Sequence, residues 1–199
     1  MRRPAVFLDR DGTLIEHVHH LHRVEDVRLV AGAAEAVARL RSTGRLAVLA
    51  TNQSVVGRGM LSAEGLEAIH EHLQALLEDA AGVEARLDAI YWNPHVPPTD
   101  GAPPHADRKP NPGMLHRAAE ELDIDLGRSW MVGDALTDLE AGRRAGCRSS
   151  ILVRTGEGAG VDENAIPVGA FVAADLSHAI GMLLAREESV GLRGVDSGR

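Results

Sequence analysis

The strongest constraint on the fold is a regular alternation of short apolar runs with amphipathic segments. Strand-like runs occur at residues 5–8, 46–50, 87–92, 129–132 and 150–153, with a weaker one at 168–172. Helical patterns occur between and after them, at residues 33–40, 62–80, 112–122, 136–144 and 176–186. Strands that alternate with helices are typical of βαβ units. The sequence therefore predicts an α/β fold, a three-layer α/β/α Rossmann-like arrangement with a mostly parallel sheet.

Two segments interrupt this alternation. Residues 93–108 contain five prolines, too many for a helix or a central strand, so they predict a long loop of the kind that is often functional. The last residues are polar and contain glycine, which indicates fraying. We expect one domain over residues 1–187, with the proline-rich loop inside it, and a flexible tail at 188–199.

Composition excludes several classes of partner. The formal net charge of −8 disfavours nucleic acid and anionic membranes as partners. Cys147 is the only cysteine, which excludes a disulfide framework and a cysteine-rich zinc cluster. No apolar run reaches the length of a membrane span or, before Asp9, of a signal peptide. We expect a cytoplasmic protein, a monomer or a small homo-oligomer.

The first apolar run leads directly into Asp9-Arg10-Asp11-Gly12. If the chain stays extended, Asp9 and Asp11 point to the same side, and two such close carboxylates repel unless a cation or a shared proton neutralises them. This predicts a hard divalent metal, with one aspartate free to attack a substrate. A calcium loop is excluded because it needs glycine at position 6 and glutamate at position 12, where this chain has Leu14 and His20. An ordinary Asp-Gly turn remains an alternative.

Polar side chains also follow the other predicted strands and the proline-rich loop. They are Thr51, Asn52, Gln53, Arg108, Lys109, Asp134 and Asp138. In doubly wound folds the carboxyl ends of the strands meet at one crevice. Three acidic groups there suit Mg²⁺, which takes oxygen ligands and substrate phosphates. A hydroxyl, an amide and a lysine suit the oxygens of a phosphoryl group, so the set predicts phosphoryl-transfer chemistry.

These residues form four ordered motifs: Asp9-x-Asp11-Gly-Thr, Thr51-Asn, Lys109-Pro and Gly-Asp134-x-x-x-Asp138. Together they resemble the haloacid dehalogenase (HAD) superfamily of phosphatases. The surrounding residues resemble its D-glycero-D-manno-heptose 1,7-bisphosphate phosphatases and the related histidinol-phosphate phosphatases, over residues 6–184. The resemblance implies a Mg²⁺-dependent phosphatase without a large cap domain. Its expected substrate is a small phosphorylated sugar, D-glycero-D-manno-heptose 1,7-bisphosphate, from which it would remove the 7-phosphate. Histidinol phosphate or another small metabolite is the alternative substrate, and a non-catalytic binding protein is the alternative of another class.

The resemblance also implies a role for each residue. Asp9 would be the nucleophile that forms an aspartyl-phosphate, and Asp11 the general acid and then the base. Asp9, Asp134 and the main-chain carbonyl of Asp11 would hold Mg²⁺. The remaining residues would bind or support the substrate: Thr51 and Lys109 the transferred phosphoryl group, Asn52 the phosphate or substrate, Arg108 the rest of the substrate, with Asp138 and Gln53 in support.

The chain departs from these relatives in two loops. Where they carry a cysteine-rich zinc site, this chain has Asn93-x-His95 and His105-x-Asp107. Imidazole and carboxylate can bind zinc, but without the thiolates we expect a degenerate loop that holds none. The second departure is a run of four histidines at residues 17–22. A transition-metal site is one interpretation; we favour a solvated loop at the mouth of the active site.

Overall fold

The computed structural model describes residues 2–99 and 103–193, with the side chains of 188–193 excepted. It contains a six-stranded sheet formed by β1 (Ala5–Leu8), β2 (Leu46–Asn52), β3 (Ala89–Asn93), β4 (Trp130–Gly133), β5 (Ser149–Val153) and β6 (Phe171–Ala173). Within the described ranges six α-helices surround it: α1 (Ala33–Arg41), α2 (Ser54–Gly57), α3 (Ala63–Ala81), α4 (Gly113–Glu121), α5 (Leu136–Ala145) and α6 (Leu176–Arg193). The predicted α/β fold is confirmed.

Every strand pairing in the sheet is parallel, and the strand order is β3-β2-β1-β4-β5-β6. The chain therefore reverses its direction of travel across the sheet at β1, which lies between β2 and β4. In open parallel sheets the crevice beside such a switch point is where ligands bind. The fold thus places the residues after β1, β2 and β4 around one crevice.

Alternation along β1 separates the two sides of the core. Val6 and Leu8 pack into a cluster with α1, α3 and α6, whereas Ala5 and Phe7 face a second cluster that includes α4. All four residues are fully buried. Burial on both faces explains why β1 is a continuous apolar run, as expected for a central strand of a parallel sheet.

Several boundaries differ from the sequence prediction. The last strand begins at Phe171 rather than at residue 168. The short helix α2, which buries Val55, was not predicted. The last helix was predicted to end near residue 186, but α6 runs to Arg193. The expected tail at 188–199 therefore begins inside a helix, and residues 194–199 lie outside the described residues. Within the described residues, no helix has both the length and the apolarity that a membrane span requires.

Candidate active site

A cavity of about 270 Å³ opens at the carboxyl edge of the sheet, beside the switch point. It is lined by every residue that the sequence predicted at the strand ends, from Asp9 and Asp11 after β1 to Asp134 and Asp138 after β4. These residues are far apart in the sequence, but they meet here because parallel strands direct their carboxyl ends to one edge of the sheet. The structure thus brings the four sequence motifs together.

Three buried carboxylates form the centre of the cavity. Asp9, Asp134 and Asp138 each offer an oxygen atom, and these atoms lie within 4.8 Å of one another. Burial and the neighbouring carboxylates of Asp9 and Asp138 raise the pKa of Asp134 to about 8. Such crowding of negative charge favours a bound cation. The all-oxygen donor set fits a hard ion such as Mg²⁺.

Asp134 is held by the backbone of two loops. Its Oδ2 accepts a hydrogen bond from the backbone N–H of Glu157 at 2.8 Å. Gly12 packs against the same carboxylate with φ of 75°, and a Cβ at this position would overlap Oδ2. Thr155 donates its hydroxyl hydrogen to the carbonyl of Gly12, which joins the two loops. The sequence analysis assigned no role to Thr155 or Glu157, which follow β5.

Lys109 is the cation that balances this cluster. Its Nζ lies 2.7 Å from Asp9 Oδ1, 2.6 Å from Asp138 Oδ1 and 2.7 Å from the carbonyl oxygen of Ala50. Burial alone would lower the pKa of Lys109, but the carboxylates of Asp138 and Asp9 outweigh it and raise the pKa above its ordinary value. Lys109 is therefore charged, and it fixes the orientation of Asp9. Asp138 thus contacts Lys109, and its supporting role stays a prediction.

The polar residues at the carboxyl end of β2 hold the same lysine and line the cavity wall. Asn52 exchanges two hydrogen bonds of 3.1 Å with the backbone N–H and carbonyl of Lys109, so its side chain holds Lys109 in place. Gln53 donates from Nε2 to the hydroxyl oxygen of Thr51 at 2.8 Å. Because this oxygen accepts from Gln53, the hydroxyl hydrogen of Thr51 remains available to donate to a bound anion.

The Asp11 carboxylate lies outside the group of three and contacts other residues. Arg10 donates to it from Nε and from Nη2, each at 3.2 Å, and Gln53 Nε2 lies 3.0 Å from Asp11 Oδ2. The extended-chain argument for Asp9 and Asp11 does not hold, because β1 ends at Leu8. Both residues still line the cavity. Arg10, which is only 1% exposed, was missed by the sequence analysis; the signal was a cation between two aspartates.

Cationic and imidazole groups border the cavity. Arg108 lines it and donates from Nη1 to the carbonyl oxygen of His95 at 2.6 Å. Burial lowers the pKa of Arg108, and the nearby charge of Arg58 lowers it further. His17, His19 and His20 also line the cavity, so the histidine loop borders the site as expected.

The positions of the degenerate zinc loop have other partners. The imidazole rings of His95 and His105 stack with centroids 3.7 Å apart. Asp107 forms an ion pair with Arg117 at 2.7 Å, and Asn93 accepts a hydrogen bond from the backbone N–H of His95 at 3.0 Å. Among the described residues, His95, His105 and Asp107 do not form a cluster at metal-ligand distances.

Known proteins are similar to this chain in sequence and in fold. A family model described as HAD-hydrolase-like matches residues 106–179. The D-glycero-D-manno-heptose-1,7-bisphosphate 7-phosphatase of Thermosynechococcus vestitus is 45% identical over 90% of this chain and 95% of its own length. The chain belongs to the HAD-like phosphatase family. It is therefore a hydrolase of phosphoric monoesters.

Further relatives of this HAD-like phosphatase support the same conclusion. The D-glycero-beta-D-manno-heptose-1,7-bisphosphate 7-phosphatase of Pseudomonas aeruginosa is 35% identical over 92% of this chain and 99% of its own length. Among solved structures, a D,D-heptose 1,7-bisphosphate phosphatase from B. bronchiseptica, complexed with magnesium and phosphate, has a TM-score of 0.81 and 36% identity. That match covers 92% of this chain and 99% of the other.

Proposed function

We propose that this phosphatase removes the 7-phosphate of D-glycero-D-manno-heptose 1,7-bisphosphate, with Asp9 as nucleophile and Mg²⁺ as cofactor. The observation that carries the mechanism is the contact of Lys109 with both Asp9 and Asp138, beside Asp134. It supplies an oriented carboxylate, a fixed cation and oxygen ligands within one buried site. The names of the relatives support the substrate.

Asp9, Asp134 and the main-chain carbonyl of Asp11 are the proposed Mg²⁺ ligands. The buried oxygens of Asp9 and Asp134, and the raised pKa of Asp134, fit a hard cation at this position. When bound, the ion would neutralise the negative charge that the carboxylates and the phosphate bring together. Asp138 is paired with Lys109, which leaves it a supporting role.

The proposed reaction assigns one step to each of these side chains. Asp9 attacks phosphorus while the bond to the sugar oxygen breaks, and the leaving oxygen takes a proton from Asp11. Asp11 then takes a proton from the water that hydrolyses the aspartyl-phosphate. Lys109 and the hydroxyl of Thr51 hold the oxygens of the phosphoryl group, where fixed donors stabilise the developing charge. Arg108 contacts the rest of the substrate.

A phosphate-release screen tests this function. The purified protein with Mg²⁺ is given D-glycero-D-manno-heptose 1,7-bisphosphate, other sugar mono- and bisphosphates, histidinol phosphate and nucleotides. We expect the heptose bisphosphate to have the highest kcat/KM, with release of the 7-phosphate visible by ³¹P NMR. A higher kcat/KM for histidinol phosphate or a nucleotide would overturn the substrate, and no release from any compound would overturn the catalytic role.

A further inference from the structure

Arg10 is one of the residues that line the active-site cavity, and acceptors surround its guanidinium. Besides its two contacts with Asp11, Arg10 donates from Nη2 to Gln53 Oε1 at 2.7 Å. Its Nη1 lies 3.3 Å from His70 Nε2. An arginine can only donate, so this contact requires the lone pair of Nε2 and places the imidazole hydrogen on Nδ1.

His70 is an unusual residue for its position in α3. It lies on the buried face of the helix beside Leu66, Ile69 and Leu73, and it is 5% exposed. Burial, together with the charge of Arg10, lowers the pKa of His70 to about 3, so the ring is neutral and able to accept. An aliphatic residue would fill this space but would leave Nη1 of a buried cation without this acceptor.

We propose that His70 is a positioning residue for catalysis, which acts through Arg10 to hold the carboxylate of Asp11. The guanidinium is planar and rigid, so contacts at Nη1 and Nη2 fix the direction of the Nε and Nη2 hydrogens that hold Asp11. The chain of contacts runs from His70 on α3 to Arg10 and then to Asp11, and His70 itself does not need to touch the substrate. This inference rests on the proposed role of Asp11 as general acid.

The dependence on the leaving group separates positioning from a merely structural role. The first irreversible step, reported by kcat/KM, needs a proton from Asp11 when the leaving group is a sugar alkoxide, and needs none when it is p-nitrophenolate. His70→Leu should therefore lower kcat/KM about 10- to 100-fold for D-glycero-D-manno-heptose 1,7-bisphosphate. The value for p-nitrophenyl phosphate should change less than about threefold, because no proton transfer is lost.

Two further variants serve as controls. His70→Gln retains a side-chain acceptor and should recover most of the loss. If His70→Leu does not fold by circular dichroism, His70→Phe, which keeps a ring but has no acceptor, takes its place. His72→Leu makes the same exchange two residues further along α3, away from Arg10, and should leave both rates unchanged. Equal losses on the two substrates, or no loss on either, would overturn the role of His70.

Asp11→Asn distinguishes this inference from the function on which it rests. If Asp11→Asn loses activity selectively on the heptose bisphosphate while His70→Leu does not, only the role of His70 is overturned. If Asp11→Asn affects both substrates equally, or neither, Asp11 is not the general acid, and its proposed role and this inference both fail, whereas the phosphatase function is tested separately by the phosphate-release screen.

Discussion

Asp134 should make the metal-free protein less stable as the pH rises. Burial and the carboxylates of Asp9 and Asp138 raise its pKa to about 8 in the folded protein, against roughly 3.9 for an unfolded chain. Between these values the folded state holds a proton that the unfolded state has lost. The free energy of unfolding therefore decreases with pH, and the decrease continues until the pH passes the folded pKa.

The magnitude follows from the size of the shift. Each pKa unit corresponds to about 1.4 kcal/mol, so at pH 6, about two units below the folded pKa, the proton still contributes about 2.5–3 kcal/mol. At pH 8.5 this contribution is nearly gone, so the expected loss between the two values is about 2.5 kcal/mol. Asp134 is 3% exposed, so solvent screening does not remove the effect. A loss of this size is large beside a total stability of about 5–15 kcal/mol.

Urea unfolding monitored by tryptophan fluorescence measures this effect. In EDTA, wild type should lose about 2.5 kcal/mol from pH 6 to pH 8.5. Asp134→Asn, which cannot titrate, is the matched variant and should lose much less. Saturating Mg²⁺ should flatten the wild-type profile, because the ion competes with the proton for the carboxylate. The reasoning is refuted if the two metal-free proteins show the same dependence on pH, or if wild type gains stability over this interval.

The other predictions concern single roles. Asp9→Asn should retain the fold by circular dichroism but less than about a hundredth of the wild-type rate, because an amide cannot form the acyl phosphate; a higher residual rate would exclude Asp9 as nucleophile. Arg108→Ala should cost about 1.5–3 kcal/mol in kcat/KM for the heptose bisphosphate and little for p-nitrophenyl phosphate, and equal losses would place Arg108 on the reacting phosphate. Elemental analysis of protein purified without a histidine tag should find less than about half an equivalent of zinc, since thiolates are absent; one equivalent bound by His95 and His105 would contradict this.

The sequence predicted the fold well because its strands are buried on both faces. Runs such as residues 5–8 and 46–50 are continuous and apolar, and the structure begins β1 and β2 at the same residues. The meeting of the strand ends also follows from this pattern, since parallel strands direct their carboxyl ends to one edge. The end of α6 was less predictable, because a polar segment after an apolar stripe fits both a frayed tail and an exposed helical turn.

The contacts around Asp11 could not be predicted in the same way. Arg10 and His70 are 60 residues apart, and no periodicity connects a turn after β1 with one face of α3. A histidine among leucines in a helix is consistent with an ordinary core position, so its partner becomes visible only in three dimensions. The same holds for Asn52 at the end of β2, because its hydrogen bonds to the backbone of Lys109 join residues 57 positions apart. Its contact with the substrate stays a prediction.

The charge balance at the centre of the site indicates an order of binding. The carboxylates of Asp9 and Asp138 both contact the one ammonium group of Lys109, and Asp134 beside them adds a further negative charge once the pH passes its pKa of about 8. The metal-free site therefore carries excess negative charge and repels a phosphate dianion. A divalent cation removes this excess, and Lys109 and Thr51 can then hold the anion's oxygens. We therefore expect calorimetry to detect binding of inorganic phosphate in Mg²⁺ and at least tenfold weaker binding in EDTA, a difference of about 1.4 kcal/mol. Equal affinity in the two conditions would show that Lys109, Thr51 and Arg108 outweigh the carboxylates without the metal, and would remove the electrostatic reason for the ion.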